Sequence, residues 1–397
     1  MNCESFGSCG SCTLGEPYED QISYKKQLIS DKFREFFDAE FEFFASQPQN
    51  YRIRAEFGIW HDIWHSAFDL AYTMGGARSK KILINECPKV VLPIANLMPR
   101  LLEALRRSEA LKERLFGVEF ISCASGILAT LLYHKRLGER EQGAICELAG
   151  KLGIRVMARA RGQKLLSGEL SLTDELCVDG RVYKFRFGEN AFIQPNRGVN
   201  EKMIAWARSC VDFGKEGTNE VRAAQNSSCE KHAVRSKSSA ARDLLELYCG
   251  HGNFTIPLAA KFNRVLASEI SKSSIANARI NCELNGVCNA QFVRLSADEL
   301  MSAFARRREF ERLKGIDIFS YDFSHVLIDP PRAGLEPSVI DFIKNFRNLI
   351  YISCNPQTLF ENLRSLCVTH EVRKFAIFDQ FAHTSHIECG VLLRRRS

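Results

Sequence analysis

Nowhere in this 397-residue chain does a run approach the roughly 18 apolar residues that a membrane-crossing helix needs. The opening residues Met1-Asn2-Cys3-Glu4-Ser5 lack the basic-then-apolar order of a secretory leader. No membrane association and a cytoplasmic address are therefore the expectation. No internal repeat is visible, which argues against a solenoid or array. What is present, 45% hydrophobic and 25% charged residues, is the composition of a soluble globular protein. The length exceeds one ordinary core, so two domains are expected.

Cysteine is plentiful, at 15 residues. In a reducing compartment these do not form a disulfide framework. Clustered cysteines become candidates for metal, cluster or catalysis, and scattered ones are core filler. The formal charge of +7 leans toward an anionic partner such as RNA.

Apolar positions Ile22, Leu28, Phe33, Phe37, Phe41 and Phe44 predict one long amphipathic helix over 19 to 46. A period-two pattern follows in Tyr51, Ile53, Ala55, Phe57 and Ile59, with strand-like segments at 65 to 73 and 80 to 85. Residues 94 to 115 read as helical, and 116 to 134 as a hairpin turning at Ser125-Gly126. A further helix is expected near 198 to 212. The pattern predicts an α+β region over 1 to 213, with a cysteine-rich start. Residues 214 to 240 lose periodicity and fill with polar residues, as in a flexible linker or insertion.

From 241 to 397 the character is that of an α/β domain. Short apolar strands at 243–248, 264–269, 290–295, 324–329, 347–353, 372–378 and 387–394 predict a seven-stranded, mostly parallel, Rossmann-like sheet closing in an antiparallel pair. Helices at 271 to 284 and 337 to 346 serve as crossovers.

The first of these strands ends in Leu245-Glu246-Leu247-Tyr248-Cys249-Gly250-His251-Gly252-Asn253, a glycine turn at the edge where doubly wound sheets bind ligands. Glu269 ends the second strand and can accept bonds from two ribose hydroxyls. The full G-x-G-x-x-G is missing, because Thr255 stands at the third glycine position. That favours S-adenosylmethionine over a nicotinamide cofactor. The fourth strand ends in Asp329-Pro330-Pro331-Arg332. The prolines stop the ladder, Asp329 is an acceptor beside cofactor or base, and Arg332 can grip a phosphate or base oxygen.

Cys354, in Ser353-Cys354-Asn355-Pro356, leaves the fifth strand at the same edge. A thiolate there can add to carbon 6 of a pyrimidine and make carbon 5 nucleophilic. The carbon-5 proton must then be removed, and Glu388, opening the last strand in His386-Ile387-Glu388-Cys389-Gly390, is the candidate base. A buried structural cysteine and a solvated strand-end acid are the bland alternatives.

These motifs, in this order and together with Ala191-Phe192-Ile193-Gln194-Pro195-Asn196, resemble the RNA uracil-5-methyltransferases, most of all the bacterial enzymes that act on tRNA. The likeness extends through Tyr51-Arg52-Ile53-Arg54-Ala55-Glu56-Phe57 and Leu132-Tyr133-His134-Lys135, covering nearly the whole chain. The resemblance implies a class I methyltransferase domain behind an N-terminal RNA-recognition domain. It implies Cys354 as nucleophile, Glu388 as proton acceptor, and Gln194, Tyr248, Asn253, Glu269 and Asp329 as contacts to S-adenosylmethionine. It also implies 5-methyluridine in the T-loop of tRNA, and of tmRNA, as product. Phe116, His134 and Arg332 fall where the family touches RNA, and no obligate protein partner is implied.

Two features depart from the tRNA enzymes. Cys3, Cys9, Cys12 and a distant Cys87 resemble the iron-sulfur motif of the sister rRNA enzymes. A [4Fe-4S] cluster, a zinc site and plain reduced thiols are the alternatives there. The motif makes rRNA the alternative substrate, although no oligonucleotide-binding barrel is expected ahead of the cysteines. The second departure is the length of 214–240. An amino-group methyltransferase and a non-catalytic RNA-binding or folding factor are the competing classes.

Overall fold

The computed structural model describes residues 3–61, 70–76, 80–189, 191–211 and 242–396. The polar segment 214–240 lies outside the described residues. Among those described, no helix is long and apolar enough to cross a membrane.

The chain opens with helix α1 (Tyr18–Phe33) and strand β1 (Glu42–Phe44). A seven-stranded sheet follows, built from β2 (Arg54–His61), β3 (Leu70–Gly75), β4 (Lys81–Ile84), β5 (Leu115–Cys123), β6 (Gly126–Tyr133), β7 (Arg155–Ala160) and β8 (Gln163–Leu166). Its order is β4-β3-β2-β5-β6-β7-β8. In β2 the alternate residues Ala55, Phe57 and Ile59 point into the core, the period-two signature of a half-buried strand. Helices α2 (Leu92–Arg106), α3 (Glu109–Lys112) and α4 (Glu139–Leu152) pack on this sheet. α2 does so through Ile94, Leu97, Met98, Leu101 and Leu105, an i, i+3, i+4 stripe.

A hairpin of β9 (Leu172–Val178) and β10 (Arg181–Phe187) and helix α5 (Arg197–Ser209) lead to the second large sheet. Its own strands are β11 (Asp243–Leu247), β12 (Arg264–Ser268), β13 (Ala290–Val293), β14 (Phe323–Ile328), β15 (Asn348–Ser353), β16 (His370–Phe378) and β17 (Glu388–Arg395). Interleaved are α6 (Thr255–Leu258), α7 (Lys272–Asn285), α8 (Ala297–Phe304), α9 (Pro337–Ile343) and α10 (Pro356–Leu366). All seven expected strands are present, and the order is β1-β16-β17-β15-β14-β11-β12-β13. β17 runs antiparallel between β15 and β16.

The eighth strand corrects the reading of 19 to 46 as one helix. The helix stops at Phe33, and β1 joins the edge of the second sheet parallel to β16, with Phe44 opposite Phe378. The cause is aromatic burial. Phe33 and Phe41 both reach Phe375, at centroid distances of 4.9 and 4.8 Å, and Phe44 stacks on Phe378 at 5.0 Å. α1 is held there as well by the Lys25–Asp379 ion pair at 2.6 Å, both side chains fully buried. Residues 18–44, expected within the N-terminal region, thus pack on the C-terminal sheet.

Candidate active site

Strand register brings the chemistry to one sheet edge. β11 and β14 run parallel with Leu247 opposite Ile328, and β14 and β15 with Ile328 opposite Tyr351. The residues that leave these strands, Tyr248, Asp329 and Cys354, therefore emerge on the same side. β17 runs the other way, and Cys389 pairs with Ser353. Continuing that antiparallel register by one residue sets Glu388 against Cys354.

Local sequence fixes how the two loops sit. Pro330 and Pro331 lack the N–H groups that would extend the β14 ladder. Asn355 caps α10, its Oδ1 accepting from the Gln357 N–H at 3.0 Å, with Pro356 as the first helical residue. The same Asn355 donates through Nδ2 to the Arg332 carbonyl at 3.0 Å. The thiol-bearing turn and the Asp-Pro-Pro-Arg turn are thereby tied together.

The edge holds protons tightly. Burial pushes Glu388 up to about 8; nearby Asp329 adds to the rise and Arg332 opposes it. Burial likewise pushes Asp329 up to about 7. The half-buried Cys354 thiol is also raised, by burial first and then by Glu388 and Asp329, against Arg332. Three acidic groups this close cannot all be ionised near neutral pH. The arrangement offers a thiol nucleophile and a carboxyl whose proton affinity suits transfer near neutrality.

The glycine turn lies at the same edge. Tyr248, Gly250 and Gly252 have φ of 62°, 56° and 90°, so the backbone winds through the left-handed region that glycine adopts without strain. Glu269 braces the turn, accepting from Gly250 N–H at 3.1 Å and Ser271 N–H at 2.8 Å. A carboxylate has about four acceptor sites, which leaves capacity for ribose hydroxyls. Gln194, Asn253, Asn200 and His251 line one pocket with the Arg197–Asp174 ion pair. Asn253 and Asn200 exchange amide bonds at 2.9 and 3.0 Å.

Asn200 and His251 are pocket residues that motif reasoning passed over. His251 carried a signal, since it sits inside the Gly-His-Gly turn. Burial lowers it to about 4, and its ring meets Phe185 edge-on at 5.7 Å. It lines the pocket as a neutral imidazole.

Phe116 and His134 form an exposed pair on the first sheet, stacked at 3.9 Å and 12°. Arg332 is exposed at the edge of the second sheet, on the loop held by Asn355. The three expected RNA contacts thus divide between the two sheets.

Cys3, Cys9, Cys12 and Cys87 line a single cavity with Phe6, Met74, Ile84 and Lys89. Burial raises the Cys12 and Cys87 thiols. Lys89 is 3% exposed and donates to the Ser11 carbonyl at 2.9 Å and hydroxyl at 2.6 Å. Its buried charge faces thiols rather than a carboxylate, a setting that suits an anionic occupant. Among the described residues, no group of three or more His, Cys, Asp or Glu side chains is placed to hold a metal ion.

Residues 17–223 and 219–396 match the family model described as tRNA (Uracil-5-)-methyltransferase. A tRNA/tmRNA (uracil-C(5))-methyltransferase of Campylobacter concisus is 58% identical, covering 100% of both chains. One from Acinetobacter baylyi is 40% identical over 96% of this chain and 99% of that protein. The crystal structure of a Pyrococcus abyssi tRNA (uracil-54, C5)-methyltransferase in complex with S-adenosyl-L-homocysteine shares the fold. Its TM-score is 0.67 at 18% identity, over 97% of this chain and 86% of that one.

Proposed function

The chain belongs to the tRNA (uracil-5-)-methyltransferase family, and from that premise we propose that it makes 5-methyluridine in the T-loop of tRNA, and in tmRNA, in the cytoplasm. The observation that carries the reading is the antiparallel register of β15 and β17, with Ser353 opposite Cys389. It supports a nucleophile and a base at one strand edge. S-adenosylmethionine, when bound, supplies an electrophilic methyl group. Gln194, Tyr248, Asn253, Glu269 and Asp329 are the residues proposed to hold it.

In the proposed reaction the Cys354 thiolate adds to carbon 6 of the target uracil, which makes carbon 5 the nucleophile toward the methyl group. Glu388 then takes the carbon-5 proton. The electron pair of that carbon–hydrogen bond restores the 5,6 double bond as the carbon–sulfur bond breaks and the thiolate is freed. Phe116 and His134 offer an aromatic surface for an unstacked base of the RNA loop, and Arg332 a cation at the reacting edge. On this reading the first sheet supplies Phe116 and His134 to the RNA, and the second carries the catalytic edge together with Arg332.

Labelled methyl transfer tests the reading. The expected result is label in the T-loop of tRNA, mapped as 5-methyluridine, with none in rRNA. Label confined to rRNA would make the enzyme an rRNA methyltransferase, and RNA binding without any transfer would make it a non-catalytic factor. The pH profile gives a further check. Glu388 is pushed up to about 8 and the Cys354 thiol above its ordinary value, so kcat/KM should climb with pH through about 8 and go on rising into the alkaline range. Arg332 holds both groups down, so Arg332→Gln should move that limb to higher pH. A limb unmoved by this change would count against the electrostatic account.

We also propose that Cys3, Cys9, Cys12 and Cys87 hold a [4Fe-4S] cluster. The shared cavity and the buried Lys89 support it. Anaerobically purified protein should contain iron and absorb broadly in the visible, and lose both on Cys87→Ser. Colourless, iron-free protein would refute it.

A further inference from the structure

Gln380 lies two residues past β16, where the loop toward Glu388 begins, and is fully buried. Its Nε2 donates to Oε1 of Gln194 at 2.7 Å. Its own Oε1 is buried and has no hydrogen-bond partner among the described residues. The backbone around it is held firmly. Neighbouring Asp379 takes the buried Lys25 ion pair and the Tyr18 hydroxyl at 2.6 Å, and Asn196 Nδ2 donates to the Gln380 carbonyl at 3.3 Å.

A glutamine amide has one accepting end and one donating end. The bond from Gln380 takes one of the two lone pairs of Gln194 Oε1 and holds that end of the amide at Gln380, which leaves the amide nitrogen as the end free to turn to the pocket that Gln194 lines. That end selects an acceptor on the ligand and repels nothing negative. Stability alone does not call for this arrangement. A methionine would fill much the same volume at 380 without burying an unpaired oxygen.

We infer that Gln380 is a positioning residue for the methyl donor. It locks the Gln194 amide with its nitrogen toward the pocket, matched to the carboxylate of the donor's amino-acid end. The inference rests on the reading of Gln194 as a cofactor contact. Without the lock, the Gln194 amide is free to turn its oxygen toward that carboxylate, and binding weakens.

The test uses full-length Gln380→Met and Gln194→Ala, singly and combined, with S-adenosylhomocysteine affinity by calorimetry, steady-state kinetics and Tm. Gln380→Met should keep or raise Tm and weaken S-adenosylhomocysteine by about 5- to 50-fold, the scale of one buried hydrogen bond. KM for S-adenosylmethionine should rise in step, with kcat at saturation changed by less than about threefold. In the Gln194→Ala background, Gln380→Met should add nothing. Wild-type affinity in Gln380→Met, or an equal loss in both backgrounds, overturns the inference. If Gln194→Ala itself binds as wild type, the cofactor role of Gln194 fails and takes the inference with it, a result distinct from failure at Gln380 alone.

Discussion

Cys354→Ala should abolish methyl transfer to tRNA, by at least about 10⁴-fold, the scale on which removing an enzyme nucleophile acts. Carbon 5 of uracil is a poor nucleophile until something adds to carbon 6, and no other group at this edge can make that addition. Glu388 and Asp329 are carboxyls held at raised proton affinity, and Arg332 is a cation. The thiol is half-buried and itself pushed toward the protonated form, so its loss leaves no buried charge unpaired and the fold should survive. Affinity for tRNA and for S-adenosylhomocysteine should stay within about threefold, because the proposed contacts to both lie on other residues. Full methyl transfer by the variant would sink the covalent mechanism and favour an amino-group methyltransferase, which needs no thiol.

Glu388→Gln should trap the enzyme on its RNA. Addition and methylation precede removal of the carbon-5 proton, so loss of the base stops the reaction with carbon 6 still bonded to sulfur. Turnover should fall by about 10²- to 10⁴-fold, and a methylated protein–RNA adduct should survive denaturing electrophoresis. Absence of any such adduct would remove Glu388 from the base role. Because burial raises both Glu388 and the Cys354 thiol, acid slows thiolate addition as well as proton removal, so the Glu388→Gln adduct should form fastest at alkaline pH.

The same group has a thermodynamic consequence. Its folded proton affinity lies above the unfolded value, so its contribution to stability is complete below the unfolded value and is lost as pH rises through about 8. Glu388→Gln escapes that loss. Its Tm advantage over wild type should therefore be larger at pH 9 than at pH 5.

The second sheet was legible in the sequence because its strands are short apolar runs buried on both faces. β11, β14 and β15, for example, carry Leu244-Leu245, Val326-Leu327-Ile328 and Leu349-Ile350-Tyr351-Ile352, all inaccessible to solvent. The first sheet was partly legible, through the alternation in β2 and the Ser125-Gly126 turn. Between 135 and 190 the strands mix Arg, Lys and Glu with apolar residues, which weakens the signal of α4 and β7 to β9, although β10 alternates cleanly, with Tyr183, Phe185 and Phe187 turned inward. β1 was misread because its phenylalanines fall at helical spacing, and only their contacts with Phe375 and Phe378 make the segment extended.

The chemistry of the site was written in short motifs, since a strand end needs particular residues in a particular order. Cys354, Glu388, Asp329, Glu269 and the glycine turn could all be named that way. Gln380 and Asn200 could not, because each depends on a partner far away along the chain, and Cys87 was grouped with Cys3, Cys9 and Cys12 only through the family resemblance. The amino-acid sequence alone named the candidate reacting groups and the strand ends that carry them, through local patterns of burial, proline and glycine. Tertiary structure decided the rest: that β17 returns antiparallel and sets Glu388 against Cys354, that α1 and β1 pack on the second sheet, and that Gln380 meets Gln194. Register and burial are set by contacts across hundreds of residues, and no local pattern contains them.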